Sequence, residues 1–174
     1  MVGLINNIGI GVLIAYTSTL ASSQDQNYNF ALFIVFLQTV SVLSIAFNAY
    51  FLIQTKHETR LMVACALFVM SYLTLAISVT YQNLPFAALS CIIHQIAKSL
   101  GTATIIGYIK AVPQEMIVTF CSGMGASSFF ASFTTLVFIE FGLESSGFFL
   151  ALSLLILPLY ANFMWIEQKR LQFK

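Results

Sequence analysis

The sequence predicts an all-α polytopic membrane protein, one transmembrane domain of six helices over residues 1–174. Three observations predict it. Of its residues, 59% are hydrophobic and only 7% charged, where a soluble domain averages about 25% charged. The apolar residues gather into six runs of about 20, each long enough to cross the hydrocarbon of a bilayer as a helix. With six spans the basic residues also sort cleanly. Lys56, Arg60, Lys110, Lys169, Arg170 and Lys174 collect on one face, and the other holds only Asp25, Glu140 and Glu144. One span more or fewer would scatter the cations over both faces, so the split supports the count. The positive-inside rule then puts both termini on the cytoplasmic or matrix-equivalent side.

In chain order, the first helix is expected over residues 3–21, with Asn6 and Asn7 near its start. A polar link rich in Ser, Gln and Asn leads to the second, over 28–53. There Gln38, Ser41, Ser44 and Asn48 recur at steps of three or four and give the helix one polar side. The connector from Gln54 to Arg60 is the densest cluster of charge in the first two thirds of the chain. It precedes a nearly all-apolar third helix, 61–79, expected to meet lipid over much of its surface. A short uncharged turn ending at Pro85 leads to the fourth helix, 86–109, and a turn around Lys110 to the fifth, 115–140. The fifth carries the small-residue run Cys121-Ser122-Gly123-Met124-Gly125-Ala126-Ser127-Ser128, which lets another backbone approach closely. Glu140 and Glu144 read as solvated ends of the hairpin to a sixth helix, 147–166, which Pro158 can kink where neighbours satisfy the freed carbonyl. The N-terminus has neither a basic region nor a cleavage site, so no removable signal or arginine-rich presequence is expected.

Composition and motifs exclude several functions. So few charges leave nothing to neutralise a phosphate backbone, so no nucleic-acid partner is expected. Cys65, Cys91 and Cys121 lie within apolar runs without paired ligand spacing. They read as small packing residues rather than a disulfide framework or metal site. No nucleotide loop, Ser-His-Asp set or cofactor box is present, and neither enzymatic activity nor a cofactor is expected.

The candidate site lies on the fourth helix. His94 and Lys98 are four apart and share a face that Ser90 and Thr102 extend and Gln95 and Ser99 widen. An ionisable residue in a span costs about 2.5–3.5 kcal/mol on insertion scales, so this face should look at protein or water. Three roles are open to it: a substrate or proton site, hydrogen bonding to the first two helices through Asn6, Asn7, Gln38 or Asn48, or contact with a lipid phosphate or a partner's carboxylate. Asn6, Asn7, Gln38, Asn48, Gly123 and Gly125 are expected to serve helix packing.

Several of these residues carry a family resemblance. Gly3-Leu4-Ile5-Asn6-Asn7 resembles the Gly-x-x-Asn-Asn opening of battenin-type proteins, a branch of the major facilitator superfamily. Lys98-Ser99-Leu100-Gly101 resembles that family's Ser-x-Leu-Gly-Glu pattern, and Ser122-Gly123-Met124-Gly125-Ala126 its Ser-Gly-x-Gly-small run. Arg60 falls where the family has a basic loop. The resemblance implies the first of two six-helix halves, with a substrate path between halves that rock about a midplane site. Thr102 stands where the family's pattern has an acidic residue, so a candidate coupling carboxylate is missing.

Two functions follow as expectations. One is a repurposed half, kept as a non-catalytic accessory subunit of a larger membrane complex, for which a mitochondrial inner-membrane assembly is a plausible host. The other is a half-transporter for a small polar or cationic solute, working as a homodimer or with a separate second-half chain, and the resemblance would place it in a lysosomal or vacuolar membrane. Membrane lipids (anionic ones included), other membrane subunits and self-association are the partners expected.

Overall fold

The computed structural model describes residues 2–25, 27–51, 54–109 and 114–141, with positions 153, 154, 156, 158, 161 and 165 beyond them. Among them are five long helices: α1 (Val2–Ser23), α2 (Asn27–Phe51), α3 (His57–Tyr81), α4 (Leu84–Ile109) and α5 (Gln114–Phe141). All five contain a stretch long and apolar enough to cross a membrane. Helices suit that setting because every backbone N–H and C=O is satisfied within the segment. The sixth helix expected from the sequence lies largely outside the described residues.

The third helix starts a turn earlier than its hydropathy suggests. Lys56 has extended backbone (φ −60°, ψ 143°), and the helix begins at His57 with Glu58 in its first turn. A carboxylate there suits the positive end of the helix, so a polar connector on paper is a helical turn in space. At the other end Gln82 takes the left-handed conformation (φ 48°), and the Asn83 N–H donates to the Ser78 carbonyl at 3.1 Å. Asn83 then starts α4, its Oδ1 accepting from the Phe86 N–H at 3.3 Å. Pro85 falls in the first turn of α4, where its missing N–H costs nothing.

Cross-helix contacts set the directions. Asn6 of α1 meets Thr102 of α4, and Thr17 of α1 meets Cys91 of α4, so these two run antiparallel. Gly3 approaches Phe120, and Gly11 approaches Ala131, so α1 and α5 run parallel. Thus α1, α3 and α5 point one way, α2 and α4 the other. The end of the bundle where α1 begins and α2 meets α3 carries Lys56 and Arg60, and Asp25 lies at the opposite end.

Helix α4 is the hub, packed against α3, α2 and α1, and α1 is sandwiched between α4 and α5. The core runs through Ile5, Ile8, Val12 and Leu13 of α1, Phe68, Tyr72 and Leu75 of α3, and Ala87, Cys91 and Ala97 of α4. The third helix is less lipid-facing than its composition suggests. Leu61, Ala64, Phe68, Ser71, Tyr72, Leu75, Ala76 and Ser78 form a continuous buried face against α4. Met62, Val69, Met70, Leu73 and Ile77 point outwards. An all-apolar helix gives no periodic signal for which side is inside, and its small and hydroxyl residues mark that side here. The helix with most of its surface uncovered is α2.

Candidate functional site

Two polar contacts join α1 to α4, one near each end of α1. On α1, Asn6 is fully buried. Its Nδ2 donates to Thr102 Oγ1 at 2.8 Å and to the Lys98 carbonyl at 3.3 Å, and its Oδ1 has no partner among the described residues. Gly101 makes this fit possible, because a Cβ there would sit 2.4 Å from Asn6 Oδ1. Further along, the Thr17 hydroxyl donates to the Leu13 carbonyl at 2.8 Å and lies 3.3 Å from Cys91 Sγ. Asn7 turns back on its own helix, donating to the Gly3 carbonyl at 3.0 Å.

His94 lies between α3 and α1, and its hydrogen bond goes to α3. Its ring is fully buried, packed edge-on against Phe68 and Tyr72 at centroid distances of 4.7 and 5.3 Å. Ser71 Oγ lies 2.9 Å from Nδ1 and also donates to the Phe68 carbonyl at 2.7 Å. A serine hydroxyl has one proton to give. With that proton on the Phe68 carbonyl, Nδ1–H must be the donor to Ser71. In the neutral imidazole the lone pair then sits on Nε2, a buried atom with no hydrogen-bond partner among the described residues. Opposite it stands Gly9 of α1, where a Cβ would fall 2.6 Å from Nε2, 2.4 Å from Cε1 and 2.2 Å from the Tyr72 hydroxyl. The pocket around the ring is closed by backbone.

Lys98, one turn on, is half-buried. Among the described residues no ion pair or side-chain hydrogen bond engages its ammonium. Gln95 is buried as well, and Ser99 shares a hydrogen bond of 2.9 Å with Ser41 of α2. The face expected to act as one unit thus divides: His94 is sealed against α3, Thr102 is bound to α1, Ser99 to α2, and Lys98 alone keeps an unmatched charge.

The expected packing residues divide too. Asn48 is buried, with Arg60 Nη1 3.5 Å from its Oδ1. Arg60 Nη2 reaches His57 Nδ1 at 3.2 Å. Gly123 packs against the backbone of Gly3 and Leu4, and a Cβ on Gly3 would lie 2.2 Å from the Phe120 carbonyl oxygen. Gly125, by contrast, has open space where a Cβ would be, and Gln38 is exposed. A small residue or an amide at the right spacing packs only if a neighbour stands opposite, and among the described residues neither of these two has one. Gly9, Ser71, Tyr72 and Gly101 complete the site without a strong signal of their own in the sequence, beyond a serine midway along an otherwise apolar third span and the place of Gly101 in the Lys98–Gly101 motif.

Spans of membrane length held together by buried polar contacts define a polytopic helical membrane protein. The chain is similar to battenin from Dictyostelium discoideum, at 24% identity over 147 residues. That stretch is 84% of this chain and 35% of battenin, so the chain spans about a third of the length of the curated relative it matches. No family model matches the chain, and no solved structure does. The likeness supports a battenin-like relationship for this membrane protein.

Proposed function

We propose that the protein is a non-catalytic accessory subunit of a larger membrane assembly, built on a battenin-like, transporter-type helix bundle. One observation carries this reading: several of the polar side chains within the spans bond across helices to one another rather than facing a common cavity. Asn6 binds Thr102 and the Lys98 carbonyl, His94 binds Ser71, and Ser41 binds Ser99. A solute path needs such groups facing a wet cavity, since buried polar groups already paired have little to offer a passing ligand. The groove between α2 and α4, about 670 Å³, is lined mainly by apolar side chains, among them Val40, Leu43, Phe47, Ile96 and Leu100. It suits an acyl chain better than a polar solute.

The test is native mass after extraction in mild detergent from the protein's own membrane. Migration with an assembly many times heavier than one or two chains is expected. A free monomer or dimer that catalyses solute flux in liposomes would overturn the reading. Such a flux would favour the second possibility, a half-transporter, for which the unmatched Lys98 is the specific support. Lys98→Leu separates the two: it should leave insertion intact and weaken assembly or lipid retention in the first case, and abolish flux while sparing assembly in the second.

A further inference from the structure

The apolar groove between α2 and α4 is one leaflet deep and ends beside two cations. Its α2 wall runs from Val40 through Leu43 and Phe47 to Tyr50, and its α4 wall is Ile96 and Leu100. From Val40 to Tyr50 the helix rises about 15 Å, half the roughly 30 Å of a bilayer's hydrocarbon. Tyr50 is one residue from the end of α2, at the level where tyrosines mark the membrane interface. Ile96 stands at the middle of α4. The groove therefore reaches from the interface to the midplane, the depth of one acyl chain. Nothing along it calls for water, since the Ser44 hydroxyl turns back on the Val40 carbonyl at 2.7 Å.

At the interface the groove meets the start of α3. Leu100 and Gly107 are seven apart and lie on one flank of α4, and a Cβ on Gly107 would fall 3.8 Å from His57 Cε1. Arg60, one turn further along α3, reaches across to α2. Its Nη1 lies 3.5 Å from Oδ1 of Asn48, next in sequence to the groove residue Phe47. Its Nη2 donates to His57 Nδ1 at 3.2 Å, because a guanidinium has donors only. Most of the five donors in that fork stay unused, and Nε is buried with no partner among the described residues. No carboxylate among those residues pairs with Arg60. Glu58 is two positions away and projects from nearly the opposite side of α3. Lys56, exposed just before the helix, adds a second cation. A half-buried permanent charge calls for a counter-ion, and the planar fork of arginine matches a phosphate.

We propose that this groove binds one anionic phospholipid, with an acyl chain between α2 and α4 and the phosphate held by Arg60 beside Lys56. The apolar slot by itself would take a chain from any lipid, and the cations at its end select the headgroup. A lipid held there is compatible with either function proposed above and requires neither.

Native mass spectrometry tests it, on the chain purified in mild detergent and titrated with phosphatidylglycerol or phosphatidylcholine of the same acyl chains. The parent should retain one phosphatidylglycerol about tenfold or more tightly than phosphatidylcholine. Arg60→Gln should bring phosphatidylglycerol down to the phosphatidylcholine level, and Arg60→Lys, which keeps the charge without the fork, should fall between. Ala46→Trp should weaken both lipids, because Ala46 lines the groove and is exposed enough to take the ring without disturbing the core. It keeps the test independent of any unfolding that the loss of Arg60 causes. Glu58→Gln, and Leu73→Trp on the outer face of α3, should retain both lipids as the parent does. Equal retention of the two lipids by the parent would overturn the proposal. So would phosphatidylglycerol retention unchanged by either Arg60→Gln or Ala46→Trp. Inorganic phosphate that raises the parent's thermal midpoint as much as phosphatidylglycerol does would also overturn it, by assigning the cations to a free anion.

Discussion

Replacing Gly9 by alanine should unlock the centre of the bundle. The added methyl would fall 2.2 Å from the Tyr72 hydroxyl and 2.4 and 2.6 Å from two atoms of His94, all well inside van der Waals contact. Neither neighbour can step aside freely. The His94 ring is fully buried, held by Ser71 at 2.9 Å and packed on Phe68. Either α1 moves off α3 and α4, or the imidazole leaves Ser71. Overpacking a close-fitted core costs about 1–3 kcal/mol, and a lost buried hydrogen bond about 0.5–1.5 kcal/mol. Alanine's better helix propensity returns about 0.5–1 kcal/mol. The net expectation is a loss of about 1–3 kcal/mol, read as a lower midpoint in denaturant-induced or thermal unfolding in detergent.

Gly125→Ala is the matched control. It makes the same change in a helix interior but into open space, so it should be neutral or stabilising by up to about 1 kcal/mol. Tyr72→Phe removes the nearest atom and should recover part of the loss when combined with Gly9→Ala. Equal midpoints for Gly9→Ala and Gly125→Ala would refute the close approach of α1 to His94, and with it the claim that the histidine is sealed.

Three further outcomes are expected. Asn6→Leu removes two interhelical bonds and should destabilise the bundle by about 1–2 kcal/mol; Thr102→Val should cost less, about 0.6 kcal/mol, and almost nothing in the Asn6→Leu background, as a double-mutant cycle of unfolding midpoints will show. Gly3→Ala sets a methyl against the backbone of α5, which cannot rotate away as a side chain can, so limited proteolysis should cut at α5 earlier than in the parent while α3 and α4 stay protected. Cysteines introduced at Lys56 and Asp25 should be labelled by impermeant reagents from opposite sides of the membrane, with Lys56 on the cytoplasmic or matrix-equivalent side; labelling of both from one side would refute the up-and-down topology.

Much of this architecture was already decided by the chain's composition. Apolar runs of bilayer length, broken by short polar turns, specify helices that cross a membrane, because no other open structure satisfies its backbone there. Element bounds for the first five helices agree with the hydropathy to within a few residues, except where His57–Arg60 forms a polar first turn outside the apolar run. The direction of each helix follows from the short connections. The concentration of unusual polar residues on the fourth helix was legible as well, since spacing by three and four depends on helical geometry alone.

Which neighbour each of those residues would meet was not legible. His94 and Lys98 share a face by spacing, yet one is sealed against Ser71, 23 residues earlier, and the other has no counter-charge among the described residues. Gly9, Gly101 and Gly123 touch side chains or backbone of other helices, whereas Gly125, two residues from Gly123, touches nothing. A sequence records each helix's own periodicity, but the rotation of one helix against the next is set by close packing among all of them at once. In lipid, no difference in hydrophobicity between the inside and outside of the bundle announces that rotation in advance. The tertiary structure therefore decided the pairings, and with them which polar groups are sealed and which still await a partner.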